Sequence, residues 1–322
     1  MINTETRNMK KYIFTKIMHG ILLLLCISLL AFVTNFLAEG DPVEMYYIAH
    51  NEPLPSPELL AQKRAEAGLN DPWLKQYSRW LGHFIEGDMG RSFRDGRAVS
   101  DKIKEALPLS LRLALPSFVF TFVLAIAAAV LSAYHKGGLL DRLIGGISFT
   151  LASIPSFVSG VILLIVFAVK LKIFPVLAMG NANGWVLPSI ALSLPMIGKY
   201  TRQIRAGLID ELGAPYVTAL KVRGFKPSII LFGNVLKNCL PLVFNLMAMA
   251  LGYLMAGVTI VENLFAWPGL GSLVMESILF RDYPTVQAFV LISGFTYLVV
   301  NMLSDILHKL VDRRPALTNG QD

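Results

Sequence analysis

Side chains able to do chemistry are sparse in this sequence, and their spacing argues against an enzyme. The five histidines (His19, His50, His83, His135 and His308) are scattered without the spacing of metal ligands. Cys26 and Cys239 form neither a disulfide framework nor a metal pair. Both fall in or beside apolar stretches, where a thiol packs as a small hydrophobe. No G-x-x-x-x-G-K-[ST] run is present to cradle a nucleoside triphosphate. H-E-x-x-H and G-x-S-x-G are also missing, and Ser153 and Ser156 have no base nearby in sequence. Met247, Met249 and Met255 could suggest soft-metal contacts, but 247 and 249 cannot share a helix face, and packing accounts for all three. The reading is a chain with no catalytic residues, no metal site and no cofactor of its own.

Composition then sets the class. Of 322 residues, 54% are hydrophobic and only 16% charged, far from an ordinary soluble domain. Six uncharged windows approach or exceed the roughly 20 residues that cross a bilayer core: Ile17–Leu37, Leu113–Tyr134, Leu143–Val169, Ile173–Gly198, Asn238–Val261 and Tyr283–Ser304. Asn181-Ala182-Asn183-Gly184 interrupts the fourth, whose apolar part begins near Trp185. Backbone in lipid must bond internally, so these are expected as helices of an all-α polytopic membrane protein.

The net charge of +7 follows membrane sides and gives no sign of nucleic-acid binding. Arg7, Lys10, Lys11 and Lys16 precede the first window, and Lys136 and Arg142 lie between the second and third. Lys199, Arg202, Arg205, Lys221, Arg223, Lys226 and Lys237 fall between the fourth and fifth, and Lys309, Arg313 and Arg314 follow the last. The positive-inside rule puts both termini and these two loops in the cytoplasm. Residues 1–38 read as a cytoplasmic segment and a retained first helix, since no small-x-small cleavage site follows the apolar run. Residues 39–107 read as an extracytoplasmic segment, 108–311 as a five-helix transmembrane domain and 312–322 as a cytoplasmic tail. Within 39–105, nine Lys/Arg stand against twelve Asp/Glu. One helix should run from Ser56 to Gly68. A second should carry Trp73, Tyr77, Trp80, Leu81, Phe84 and Ile85 on one stripe, to lie on the membrane interface or to pack on the ends of the spans. Prolines 108, 116, 155, 188 and 195 suggest kinked spans, and Gly252 and Gly257 suggest close helix approach in the fifth. Asn301 and Asp305 sit near the inner end of the sixth. Acids inside the spans are nearly absent, which disfavours a proton- or sodium-coupled carrier.

The polar stretch from Arg205 to Pro241 is what such a membrane protein leaves unexplained. Pro215 suits the first turn of a helix, Tyr216 to Arg223 make two turns, Gly224 stops them and Pro227 bars continuation. A short helix between two spans is either a solvated loop element or a docking site.

This stretch resembles the cytoplasmic loop of ABC importer permeases, whose coupling helix sits in a cleft of the ATPase subunit. Thr218-Ala219-Leu220 stands where that family often has E-A-A. Val261-Glu262-Asn263-Leu264-Phe265-Ala266-Trp267-Pro268-Gly269-Leu270-Gly271 and Arg281-Asp282-Tyr283-Pro284 are similar to the hallmark of the dipeptide/oligopeptide/nickel branch. Further matches are Gly40-Asp41-Pro42, Gly68-Leu69-Asn70-Asp71-Pro72, Gly87-Asp88-Met89-Gly90-Arg91-Ser92-Phe93, Ser153-Ile154-Pro155-Ser156-Phe157 and Asp312-Arg313-Arg314-Pro315. The resemblance implies a six-helix type I importer permease fold in the bacterial inner membrane. It also implies a second homologous permease, two ATPase subunits that use ATP and Mg, and an extracytoplasmic binding protein. It puts coupling to the ATPase on Tyr216, Val217, Ala219 and Gly224. A turn at the external mouth would use Glu262, Trp267, Pro268, Gly269 and Gly271, either to touch substrate or simply to re-enter the membrane. The substrate would be nickel, free or chelated, or a short peptide. A self-sufficient carrier or channel is the competing class.

Overall fold

The computed structural model describes residues 2–37, 40–50 and 52–311. Asn51, the Asp312-Arg313-Arg314-Pro315 match and the whole 312–322 tail lie outside the described residues, as do the side chains of Arg7, Lys10, Lys11, Met255, Asp305 and Lys309. Regular structure among the described residues is helical, with one isolated bridge between Arg91 and Ala98. Contacts divide the chain into two units, one of residues 1–110 with 268–298 and one of residues 111–267 with 299–322.

The first unit opens with α1 (Ile2–Leu37), then α2 (Pro42–Ala49), α3 (Pro57–Glu66) and α4 (Trp73–Ile85). Each short helix starts where its sequence dictates. Asp41 Oδ1 accepts from Val43 N at 2.8 Å, and Ser56 Oγ accepts from Leu59 N, so both cap helices whose first residue is proline. Gly68 closes α3 at φ +66°. The aromatic stripe of α4 packs on the end of α1: Tyr77 and Trp80 lie 5.4 and 6.0 Å from the Phe32 ring, and Tyr77 Oη is 2.7 Å from Ser28 Oγ. Trp73 and Ile85, at the two ends of the stripe, stay exposed. The unit's core joins Val99, Ile103 and Ala106 at the start of α5 (Val99–Tyr134) to Leu270 of α12 (Leu270–Leu279) and Ala288 of α13 (Tyr283–Val311).

The second unit is built around α8 (Val186–Leu212), a helix with fourteen buried residues. It packs on α6 (Leu139–Ser153), on α7 (Ser156–Leu163) and on α11 (Leu236–Leu264). Gly198 makes the α6 contact possible. A Cβ there would stand 2.4 Å from Ser148 O and 2.6 Å from Ala152 N, so any side chain would push the two backbones apart. Gly257, where sequence suggested close approach, has only ordinary contact at 3.5 Å from Leu192.

Among the described residues, four helices are long and apolar enough to cross a membrane, within Thr15–Thr34, Val99–Tyr134, Pro227–Leu254 and Tyr283–Met302. Leu22, Leu30, Leu115 and Val123 stay exposed on two of them, as side chains solvated by hydrocarbon can. Two of the six expected spans come out differently. The window Leu143–Val169 is broken at Ile154-Pro155 into Leu139–Ser153 and Ser156–Lys170, bent by 100°. Proline supplies no N–H and disfavours helical backbone in the residue before it, so Ile154 is extended (φ −92°, ψ 122°). The window Ile173–Gly198 is no continuous helix, because helix resumes only at Val186. Pro175 and the Asn181–Gly184 turn break its first half, and Lys199 then ends the uncharged run of α8 after a stretch too short to span alone.

Candidate functional site

The helix expected between two spans is present as α9 (Pro215–Val222), with Pro215 in its first turn and Arg223 at its end. Gly224 takes φ +80°, and its N–H donates to Lys221 O at 3.0 Å while Phe225 N reaches back to Leu220 O at 3.2 Å. That left-handed closure is why glycine stands there. The four residues singled out on this helix differ in place. Val217 is fully buried, so it anchors α9 to its own unit. Tyr216 is half-buried, and Asn238 Nδ2 of α11 donates both to its Oη at 3.1 Å and to Glu211 Oε1 at 2.8 Å. Burial and then the hydrogen bond with Glu211 push the Tyr216 phenol up to about 12, so it stays protonated. Ala219 and Gly224 face outward with Thr218, Val222 and Phe225, and Val222 is 83% exposed. The outward side therefore combines two apolar side chains with the small Ala219 and the basic Lys221 and Arg223. Thr218, Val222 and Phe225 were not singled out by the sequence; the rule that three- and four-residue neighbours share a helix face links Thr218 to Val222.

About two helical turns before the end of α8, Arg205 ties this region together. Its Nε and Nη2 donate to the two oxygens of Asp141 at 2.7 and 2.8 Å, and Nε also reaches Ser132 Oγ at 3.0 Å. Asp141 is 6% exposed and further accepts from Gly137 N. The fork of a guanidinium matches a carboxylate with two parallel bonds, so the α5–α6 turn is fixed to the helix that leads into α9.

The other motif region is divided between the units at the Trp267–Pro268 bond. On one side, Glu262 and Trp267 are buried, and Trp267 N donates to Glu262 O at 2.8 Å. The Arg112 guanidinium lies 5.9 Å from the Trp267 ring centroid. The left-handed residue of this turn is Ala266 (φ +50°), whereas Gly269 is extended. The turn is thus made one residue before Trp267, at a position sequence gave no reason to pick. In the other unit, Gly269 caps α12, Gly271 is buried inside it, and Leu270 N donates to Ser110 Oγ at 2.7 Å.

Two motifs noted separately in sequence meet here. Asp282 is fully buried and accepts from Ser92 Oγ at 2.5 Å, Phe93 N at 2.9 Å and Thr285 Oγ1 at 2.7 Å. Lys102 Nζ, itself 8% exposed, lies 3.7 Å from Asp282, 3.0 Å from Ser92 Oγ and 3.1 Å from Asp95. Burial alone would raise the Asp95 carboxyl; bonds from Lys102, the Arg97 N–H and Ser92 outweigh it and hold the group below its usual range. The polar centre of the first unit is therefore an ion cluster buried at Asp282, Ser92 and Lys102 and open to solvent at Asp95.

Residues 125–316 match the family described as binding-protein-dependent transport system inner membrane component, and residues 9–114 match the N-terminal segment of such membrane components. The chain belongs to this family. It is 33% identical over 306 residues to the metal-staphylopine import system permease protein CntB of Staphylococcus aureus, covering 95% of this chain and 98% of that one. It is 34% identical over 317 residues to the oligopeptide transport system permease protein AppB of Bacillus subtilis, covering 95% and 99%. Its fold is similar to that of an inward-facing MetNI methionine ABC transporter, with a TM-score of 0.56 over 66% of this chain and 96% of that one at 18% identity. The protein is thus a multi-pass inner-membrane permease subunit of an ABC importer of the peptide/nickel family. The Asp282 cluster fixes the segment before α5 to the start of α13.

Proposed function

We propose that this permease, paired with a second homologous permease, translocates a metal chelate delivered by an extracytoplasmic binding protein. Two ATPase subunits would bind and hydrolyse ATP with Mg, and this chain would have no ATPase site. The observation that carries the reading is α9: a capped helix between spans, anchored by Val217 and Tyr216, that leaves Ala219, Val222 and Phe225 uncovered. An apolar side held outward on a rigid anchor suits docking on a protein cleft. Closure of the two ATPases would move α9, and Arg205 would pass the movement through Asp141 to the α5–α6 turn. The turn containing Glu262, Trp267, Pro268, Gly269 and Gly271 would lie near the external mouth. The six-span, both-termini-inside topology belongs to the same proposal, with the bent pair counted as one span and α8 completing the path from within the protein.

Chelated nickel is preferred over free nickel because a binding protein can select a chelate and the permease need not ligate the ion. The CntB relative is the permease of a metal-staphylopine system. A short peptide is the second reading, supported by the AppB relative of an oligopeptide system. Uptake by cells carrying the whole operon separates the two. Labelled nickel supplied with free histidine is expected to accumulate, and deleting this gene is expected to abolish that. Loss of labelled dipeptide uptake with nickel uptake unchanged would reverse the preference. Reconstitution of the chain alone should give no flux; flux without ATP or partners would remove the importer reading altogether.

Orientation has its own test. Cys26 is exposed and Cys239 buried, so both are removed first. Single cysteines at Asn51 and Gly96 should then react with impermeant thiol reagents in whole cells, and cysteines at Asn8, Lys226 and Asn319 should not. The reverse pattern would put α9 on the wrong side for an ATPase.

A further inference from the structure

Two cavities in the first unit share the same three walls. One, of about 580 Å³, is lined by Phe32 and Phe36 of α1, Gln76 and Trp80 of α4, and Tyr283 and Gln287 of α13. Asp41 and Arg64, joined as an ion pair, close its rim. The other, of about 400 Å³, is lined by Leu24 and Leu25 of α1, Leu81 and Phe84 of α4, and Leu291 and Phe295 of α13. Its single polar lining residue is Ser28, whose hydroxyl donates to Leu25 O and is also 2.7 Å from Tyr77 Oη, so it offers nothing to a ligand. On α1 the apolar cavity lies near the middle of the Thr15–Thr34 span, and the polar one lies at and beyond its end. From Leu25 to Phe32 the helix rises about 10 Å, the step from hydrocarbon to headgroup level. On α13 the order is the same, with Tyr283 at the start of the span and Phe295 well inside it.

We propose that these paired cavities form one binding site for a phospholipid with a zwitterionic phosphate–ammonium headgroup. An acyl chain fills the apolar cavity, where no polar group is left to satisfy. The phosphate faces the Arg64 guanidinium, which is 41% exposed while paired with Asp41 and keeps further N–H groups to donate, and the ammonium lies among the aromatic faces of Phe32, Phe36 and Trp80, beside the Asp41 carboxylate whose Oδ1 caps α2. Neighbouring opposite charges suit such a headgroup, whereas an anionic headgroup would meet Asp41 as well as Arg64. The bound lipid would brace α4 against α1 and α13.

The assembled importer, with its partner subunits, is placed in nanodiscs containing a phosphatidylethanolamine that carries a photoreactive group on its acyl chain. Crosslinks are expected at residues 21–28 and 291–295, reduced at least tenfold by excess unlabelled phosphatidylethanolamine and much less by phosphatidylglycerol. Leu25→Trp, which fills the apolar cavity, should cut labelling at 291–295 about tenfold. Arg64→Ala, a change at an exposed rim, should leave the crosslinks in place and erase the preference for phosphatidylethanolamine. Competition by glycerophosphoethanolamine equal to that by the whole lipid would mean that a soluble solute owns the polar cavity, and would overturn the proposal. So would labelling spread evenly over the spans, or crosslinks from the partner permease to Leu25 and Phe295, since a protein helix would then fill the cavity.

Discussion

Asp282→Ala is expected to destabilise the permease by about 3 kcal/mol or more, because it removes one partner of a buried ion pair. Asp282 is fully buried and holds Ser92, Phe93 and Thr285 directly, with Lys102 at 3.7 Å. Alanine would leave a buried N–H and two hydroxyls to find new partners, and Lys102 would lean on Asp95 alone among its carboxylates. Asp282→Asn keeps the shape and one of the two acceptor oxygens, which can still take the Phe93 N–H while its NH2 donates to a hydroxyl turned to accept, so its cost should be smaller. Thermal unfolding of the purified complex measures both. At about 2–4 °C per kcal/mol for a unit of this size, the alanine variant should lose about 6 °C or more and the asparagine variant visibly less. Equal, negligible losses would mean that the cluster does not hold the unit together.

Gly224→Pro is expected to lower uptake at least tenfold without reducing the amount of permease in the membrane. Proline locks φ near −65° and has no N–H, whereas Gly224 stands at φ +80° and donates to Lys221 O. The turn that ends α9 could not survive the change, and Phe225 and the basic residues beside it would be carried away from the docking side. Membrane insertion depends on the apolar spans, which the change leaves alone. Gly224→Ala separates shape from space: nothing lies within 4 Å of the added Cβ, so only the left-handed backbone is penalised, by roughly 1 kcal/mol. That variant should transport at near the normal rate. Ala219→Asp puts a charge on the exposed side without touching the buried Val217 anchor. It should abolish uptake and ATP-coupled turnover while α9 stays folded. Full transport in both Gly224→Pro and Ala219→Asp would mean that this helix couples nothing.

Much of the site was legible before any coordinates, for identifiable reasons. The bounds of α9 follow from Pro215 and Gly224, residues whose backbone preferences act locally. Ser56 and Gly68 delimit α3 in the same way. The amphipathic stripe of α4 was visible too, although only its contact with Phe32 shows what Tyr77 and Trp80 cover. Two of the six windows are not single continuous helices, because an apolar window measures solvation and says nothing of continuity; the Asn181–Gly184 interruption was itself legible, the angle at Pro155 was not. Pro155 turns one window through 100°, and Pro175 with Asn181–Gly184 delays helix in another until Val186.

By itself, the sequence determined that this chain is a polytopic helical membrane protein with a short helix bounded by Pro215 and Gly224. Hydrophobic run length, proline and glycine act over a few residues, and the bilayer allows few other solutions. Only the tertiary structure decided which polar residues belong together. Asp282 meets Ser92 across 190 positions of sequence and Arg205 meets Asp141 across 64, distances over which no spacing rule operates. It also decided that Val217 anchors α9 while Ala219 and Val222 face outward, since the side a short helix buries depends on which neighbours pack beside it.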